Sequence, residues 1–248
     1  MKPKRIKLLS TISLVLSSSL ATAGTMGAVA PAVPFGELSF SVGYFDARAG
    51  KEQHIDIETL VGNDYTVDKK SDDNYLLGLG YLIHGRDFNS FSLDYGVKAF
   101  YLAQTHVEGV IVQEDIFTNL SYRYSVTHVP IYAMARATLK RPSSNYALTL
   151  DAGIGPNIMR THSYFENSLD GGITIPDNAF FGHTNTEFSA TVGAGIKLNN
   201  LISSASIELG YRFFYLGQGE FRTNNSQILT SLKTNDCYAH AVVLTISI

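Results

Sequence analysis

The chain has one cysteine, Cys237, among 248 residues, so an intramolecular disulfide is excluded. It stands far from any export cleavage site, offers no lipid attachment there, and reads as a partly exposed, inert thiol. Charge is sparse too, at 17% of residues. Beyond the first twenty residues no run approaches the roughly 18 apolar residues that a membrane-crossing helix needs. There is no His-Glu-x-x-His run and no cysteine pair, hence no metal pattern. No loop has EF-hand ligand spacing. The doublets Gly78-x-Gly80 and Gly193-x-Gly195 precede no helix, which removes the phosphate-loop reading. No cofactor and no metal are expected.

The N-terminus explains part of the remaining charge. Lys2, Lys4, Arg5 and Lys7 form a positive head, Leu8–Leu20 a short apolar core, and Ala21-Thr22-Ala23 a small-x-small cleavage site. Residues 1–23 therefore read as an export signal. Their removal takes away four bases and no acid, moving the net charge from −3 to −7. So acidic a chain is a poor nucleic-acid surface. Residues 24–34, small and punctuated by proline, read as a lead-in.

What the chain does have is alternation. In Ser206–Leu216 (S-I-E-L-G-Y-R-F-F-Y-L), Ile207, Leu209, Tyr211, Phe213 and Tyr215 occupy one face. Ser206, Glu208, Gly210 and Arg212 occupy the other, the period-two signature of a strand. The same pattern recurs at about Gly36–Phe45, Tyr75–His84, Phe91–Ala103, Leu120–Leu139, Tyr146–Arg160, Glu187–Leu198 and Tyr238–Ile248. Connections alternate between long and short, as in an up-and-down membrane barrel. The expected fold is all-β: an eight-stranded antiparallel up-and-down transmembrane β-barrel over residues 35–248, with both termini periplasmic.

A soluble lipocalin-like barrel would also alternate. Three features turn the greasy face outward instead. The polar face carries glycines at 43, 78, 80, 96, 153, 155, 193, 195 and 210, which suit a crowded narrow interior. The strands exceed the usual soluble length of about five or six residues. Tyrosines 44, 75, 101, 122, 146, 215 and 238 gather towards strand ends on the greasy face, as an interfacial girdle would.

Inward faces then carry a charge network: Glu37, Asp94, Asp151, Glu187 and Glu208 against Lys98, Arg123, Arg136, Lys197 and Arg212. Balance is expected where charges share a poorly hydrated lumen, so a salt-bridged plug is favoured over a pore. Placing Arg136 inside while Tyr122, Tyr124 and Val126 face lipid requires a phase slip, expected as a bulge at His128-Val129-Pro130. The outer loops, Asp46–Asn74, Thr105–Asn119, Ser163–Thr186 and Gln218–Cys237, hold sixteen acids and six bases.

The pattern, with stretches such as Tyr75–His84 (Y-L-L-G-L-G-Y-L-I-H) and Ser206–Leu216, resembles the small outer-membrane barrels typified by the OmpA transmembrane domain and the opacity proteins. The resemblance covers Phe35 to Ile248. It implies insertion in the outer membrane of a Gram-negative bacterium, contact with outer-membrane lipids and lipopolysaccharide, and often adhesion to a host or surface receptor through the loops. Two departures stand out. No peptidoglycan-binding domain follows the barrel, and the last residue is Ile248 rather than an aromatic. The expected function is membrane integrity or surface adhesion, with a narrow channel for ions or small solutes as the alternative. A lipid A-modifying enzyme is the third reading. His162-Ser163 with Glu166 nearby is its candidate triad, but no His-x-Ser-Asn run supports it, and no catalytic residue is expected.

Overall fold

The computed structural model describes residues 36–139, 145–202, 205–223 and 225–248. The expected export signal and lead-in lie outside these residues. Eight long strands form the body: β1 (Gly36–Arg48), β2 (Ser71–Asp87), β3 (Phe91–Gln113), β4 (Phe117–Leu139), β5 (Tyr146–Ser168), β6 (Thr184–Ile202), β7 (Ala205–Glu220) and β8 (Lys233–Ser247). Each pairs antiparallel with its sequence neighbours, and β1 pairs with β8, from Ser39↔Ser247 to Arg48↔Tyr238. The sheet thus closes on itself and leaves no edge in the wall, which a strand in lipid requires.

Several strands run past their expected ends. β3, β4 and β5 each have 23 residues, and only Glu114–Ile116 separates β3 from β4. The stretch Thr105–Asn119 is therefore a hairpin rather than a loop. Its turn residues Glu114 and Asp115 both have positive φ. The alternation of Val107, Gly109 and Ile111 against Glu108, Val110 and Val112 continues the strand.

The phase slip falls elsewhere than expected. β4 keeps one phase from Leu120 to Arg136, with Tyr122, Tyr124, Val126, His128, Tyr132 and Met134 all buried inside. Its pairing with β5 is unbroken through His128, Val129 and Pro130. No bulge is needed there, because the tyrosines fill the interior instead of facing lipid. It follows that Arg123, at an odd position of β4, is on the outer face, with its guanidinium 5.4 Å from the Phe165 ring. It is not a lumen charge. The slips lie in the partner strands: Ala103 and Gln104 of β3 oppose Thr127, and Ser163, at φ 56°, opens a bulge in β5 opposite Tyr124. A third bulge in β7 sits at Leu216-Gly217, where φ of 78° favours glycine.

Cys237 also differs from expectation. It is fully buried, 3.5 Å from Thr234 Oγ1 and 3.4 Å from the Asn235 carbonyl. The thiol continues the inward phase of Ala239, Ala241 and Val243 along β8.

Candidate functional site

The lower interior is a layer of ion pairs. Glu37 (β1), Asp151 (β5) and Glu208 (β7) face Arg136 (β4), Lys197 (β6) and Arg212 (β7). Arg212 Nη2 lies 2.7 Å from Asp151 Oδ1 and 2.8 Å from Oδ2. Arg136 reaches Asp151 Oδ2 at 3.3 Å, Glu208 Oε2 at 3.2 Å and Glu37 Oε1 at 3.8 Å. Lys197 Nζ holds Glu37 Oε2 at 2.7 Å. Glycine makes room for this layer: a Cβ on Gly193 would meet Asp151 Oδ1 at 2.7 Å and Arg212 Nη2 at 3.0 Å. Gly193 is the register partner of both Asp151 and Arg212, so the two side chains meet over a position that has none.

The remaining inward charges are placed differently. Lys98 is buried beside the layer, its Nζ 5.3 Å from the Phe100 ring centroid, with Arg212 at 5.2 Å from the same ring. Asp94 accepts from His84 Nδ1 at 2.9 Å near the short-turn end. Glu187 accepts from Asn185 Nδ2 at 2.8 Å. These two stand apart from the central layer.

Above the ion pairs, three rings close the section. Phe100 and Phe214 meet edge to face at 5.2 Å, and Tyr132 lies 6.3 Å from each. Tyr132 shares a 2.6 Å hydrogen bond with Ser189. Higher still, Phe45, Leu76, Leu102, Tyr124, Val126, Met159 and Leu216 are buried. This apolar upper filling went unrecognised in the sequence. The signal was present in the inward phase of Tyr122, Tyr124 and Val126, all three continuous with Arg136.

Beyond the wall, the loops form a built head. Asn63–Tyr65 pairs with the end of β3 and with Gln53–Ile55, and Phe180–Phe181 pairs with Arg222–Thr223. Tyr65, Tyr122, Tyr164, Phe180 and Phe221 pack with centroids 5.0–6.5 Å apart. The first and last loops are tied together: Glu58 donates to the Gln227 carbonyl at 2.7 Å and Leu229 to the Asp56 carbonyl at 2.8 Å. Glu166 points into this head and accepts from the amides of Asp177 and Asn178 at 3.0 and 3.1 Å. His162 faces outward, so Glu166 and His162 lie on opposite sides of the sheet and form no triad with Ser163.

Several head groups have shifted acidity, among them His54 and Asp170. His54 is held above its ordinary value by its hydrogen bond to Asp64 Oδ1 at 2.7 Å, aided by the Val61 carbonyl at 2.9 Å. Hydrogen bonds from Ser168 and Thr174 hold Asp170 below the usual carboxylate range. His54, Asp64 and Asp115 bring possible metal ligands within 4.8 Å of one another. Both His54 ring nitrogens already have partners, so the group reads as a clasp across the loop.

The top of the head holds a cup of about 350 Å³, lined by Leu60, Ile111, Phe117, Ile175 and Ile228, with Glu114 and Asp177 among them. Beside it, Ile173 and Ile175 are each 84% exposed, and Ile116 and Leu229 are exposed as well.

The wall itself shows which solvent surrounds it. Phe40, Val42, Leu77, Leu79, Val97, Leu150, Ile154, Val192, Ile196, Leu209 and Val242 all face outward, each more than half exposed. So continuous an apolar band would be untenable in water. Tyr44, Tyr75 and Tyr101 border it towards the head, and Tyr81, Tyr95 and Tyr146 towards the short turns. The chain is an eight-stranded transmembrane β-barrel of the outer-membrane type.

No protein-family model matches the sequence, and no curated protein does. Among solved structures, the barrel is similar to the outer membrane protein OprG of Pseudomonas aeruginosa. That match has 13% identity and a TM-score of 0.43, over 86% of this chain and 96% of that one. It is also similar to Ail, the attachment invasion locus protein of Yersinia pestis (17%, TM-score 0.34, 86% and 97%). A third is the outer membrane protease OmpT of Escherichia coli (8%, TM-score 0.44, 86% and 95%). At these scores the likenesses carry no argument about activity.

Proposed function

We propose that this protein is a closed barrel of a Gram-negative outer membrane whose external head is its working surface, recognising a partner at the cell exterior. The barrel's two chain ends lie with the short turns, which this reading places in the periplasm. The observation that carries it is the apolar tip of the head. Ile116, Ile173, Ile175 and Leu229 are exposed on loops that are otherwise tied down by cross-loop hydrogen bonds and a ring core. A solvated loop has no reason to present isoleucines in this way, whereas a docking surface does. The cup beside them, apolar with an acidic edge, suits a protruding apolar or basic side chain of that partner.

The channel alternative is disfavoured by the ion-pair layer and the three rings above it, which fill the section that an ion would have to cross. The enzyme alternative is disfavoured by the separation of Glu166 from His162.

The test is adhesion of cells displaying the protein to epithelial monolayers, comparing wild type with the Ile173→Ser, Ile175→Ser double variant. Loss of adhesion with the barrel still resistant to SDS supports the reading. Adhesion unchanged by the double variant overturns it, as would steady conductance of the wild type in planar bilayers.

A further inference from the structure

On the outer face, the tyrosine border facing the head is interrupted. It includes Tyr101 on β3 and resumes with Phe188 on β6, yet β4 and β5 between them have no aromatic residue at that height. In register there, the apolar set Tyr101, Val129 and Ile158 gives way, one step towards the head, to Gln104, Thr127, Arg160 and Thr184. Thr127 pairs with Arg160, and Arg160 with Thr184, so these side chains share one surface row. His162 joins them through a 3.0 Å hydrogen bond between its Nε2 and Thr127 Oγ1. Together they line a groove of about 530 Å³ whose lower wall is Tyr101, Val129 and Ile158.

We propose that this groove binds the phosphate-bearing headgroup of an outer-leaflet lipid, with Arg160 as the charged phosphate contact. Three observations converge on that occupant. The groove sits at the edge of the lipid-facing band, where headgroups lie. No ion pair engages Arg160 among the described residues, although the neighbouring loops are acidic; the nearby His106 is taken by Asp72 at 2.6 Å. The apolar lower wall continues into the band, so acyl chains would follow the headgroup down the sheet. A guanidinium at such a boundary is suited to a planar, bidentate grip on phosphate. His162 is no second contact: Thr127 Oγ1 holds its Nε2 and Ser163 Oγ its Nδ1, each at 3.0 Å, so the ring serves as the groove's wall on the head side. This inference goes beyond the head reading and does not depend on it.

The experiment is native mass spectrometry of the full chain in detergent, with diphosphoryl lipid A and its dephosphorylated counterpart of the same acyl composition as probes. Wild type should retain the diphosphoryl form preferentially, and the Arg160→Gln variant should bind it about tenfold or more weakly, the loss of a charge-assisted contact. Arg123→Gln, on the same face but in the head, should bind as wild type. Each variant's SDS resistance shows that it has folded. Equal retention of both lipids, or equal weakening by Arg123→Gln, would overturn the proposal. So would competition by 10 mM inorganic phosphate (about that concentration, chosen well above a weak anion site), since that would mark a free-phosphate site.

Discussion

Replacing Arg136 by methionine removes the centre of the ion-pair layer while keeping an unbranched side chain of similar reach. Of its three carboxylate partners, two have another cation. Asp151 keeps Arg212 at 2.7 Å and Glu37 keeps Lys197 at 2.7 Å. Glu208 keeps none among the described ion pairs, and it is buried at 7% exposure. Stranding one buried carboxylate costs about 3–5 kcal/mol, a large share of the about 5–15 kcal/mol by which folded proteins are stable. Adding Glu208→Gln to Arg136→Met removes the stranded charge and should return about 1–3 kcal/mol relative to the sum of the single changes. The assay is urea unfolding in detergent micelles, read by gel mobility of unboiled samples at each concentration. A midpoint for Arg136→Met within about 0.5 kcal/mol of wild type would refute the reasoning, since that is the range of an indifferent surface change.

Two further outcomes follow from the same contacts. Gly193→Val places methyl groups against Asp151 and Arg212, and should destabilise the barrel by about 1–3 kcal/mol, as overpacking does; the same unfolding assay reads it. In the head, the raised value of His54 means that its contribution to stability is fully present below the unfolded histidine value. That contribution is lost as pH rises through the higher folded value. Histidine NMR should show His54 titrating above the ordinary histidine value, and Asp64→Asn should bring it back down; no change on that substitution would contradict the assigned cause.

The barrel was legible in the sequence because period two survives wherever one face meets lipid. All eight strands, their order and their short connections follow from positions such as Ile207–Tyr215 and Val242–Ile248. The lipid face is constrained uniformly along each strand, so its pattern is clean. The interior is not. Between the ion pairs and the head it is filled with apolar and aromatic side chains, so in β4 both faces are apolar around Val126 to Met134 and alternation no longer tells inside from outside. That ambiguity put Tyr122 and Tyr124 in lipid and Arg123 in the lumen, and demanded a bulge that β4 does not have. Three of the bulges that exist, at Ala103-Gln104, Ser163 and Leu216-Gly217, leave a weak sequence signal, because only one of the three carries glycine at the left-handed position. The head was hidden for a related reason: its short strands pair loops distant in sequence, such as Phe180–Phe181 with Arg222–Thr223.

The central claim is that lipid surrounds the greasy face and the polar face is interior. Phe213 and Phe214 are neighbours in β7 that point to opposite sides: Phe213 packs against Tyr238 and His240 on the outer wall, and Phe214 is fully buried against Phe100 and Tyr132. The chain has no tryptophan, so Phe213→Trp and Phe214→Trp each report from one known position. In vesicles of brominated phospholipid, the account predicts strong quenching of the tryptophan at 213 and little at 214. Quenching at 214 but not at 213, or at neither, would contradict it.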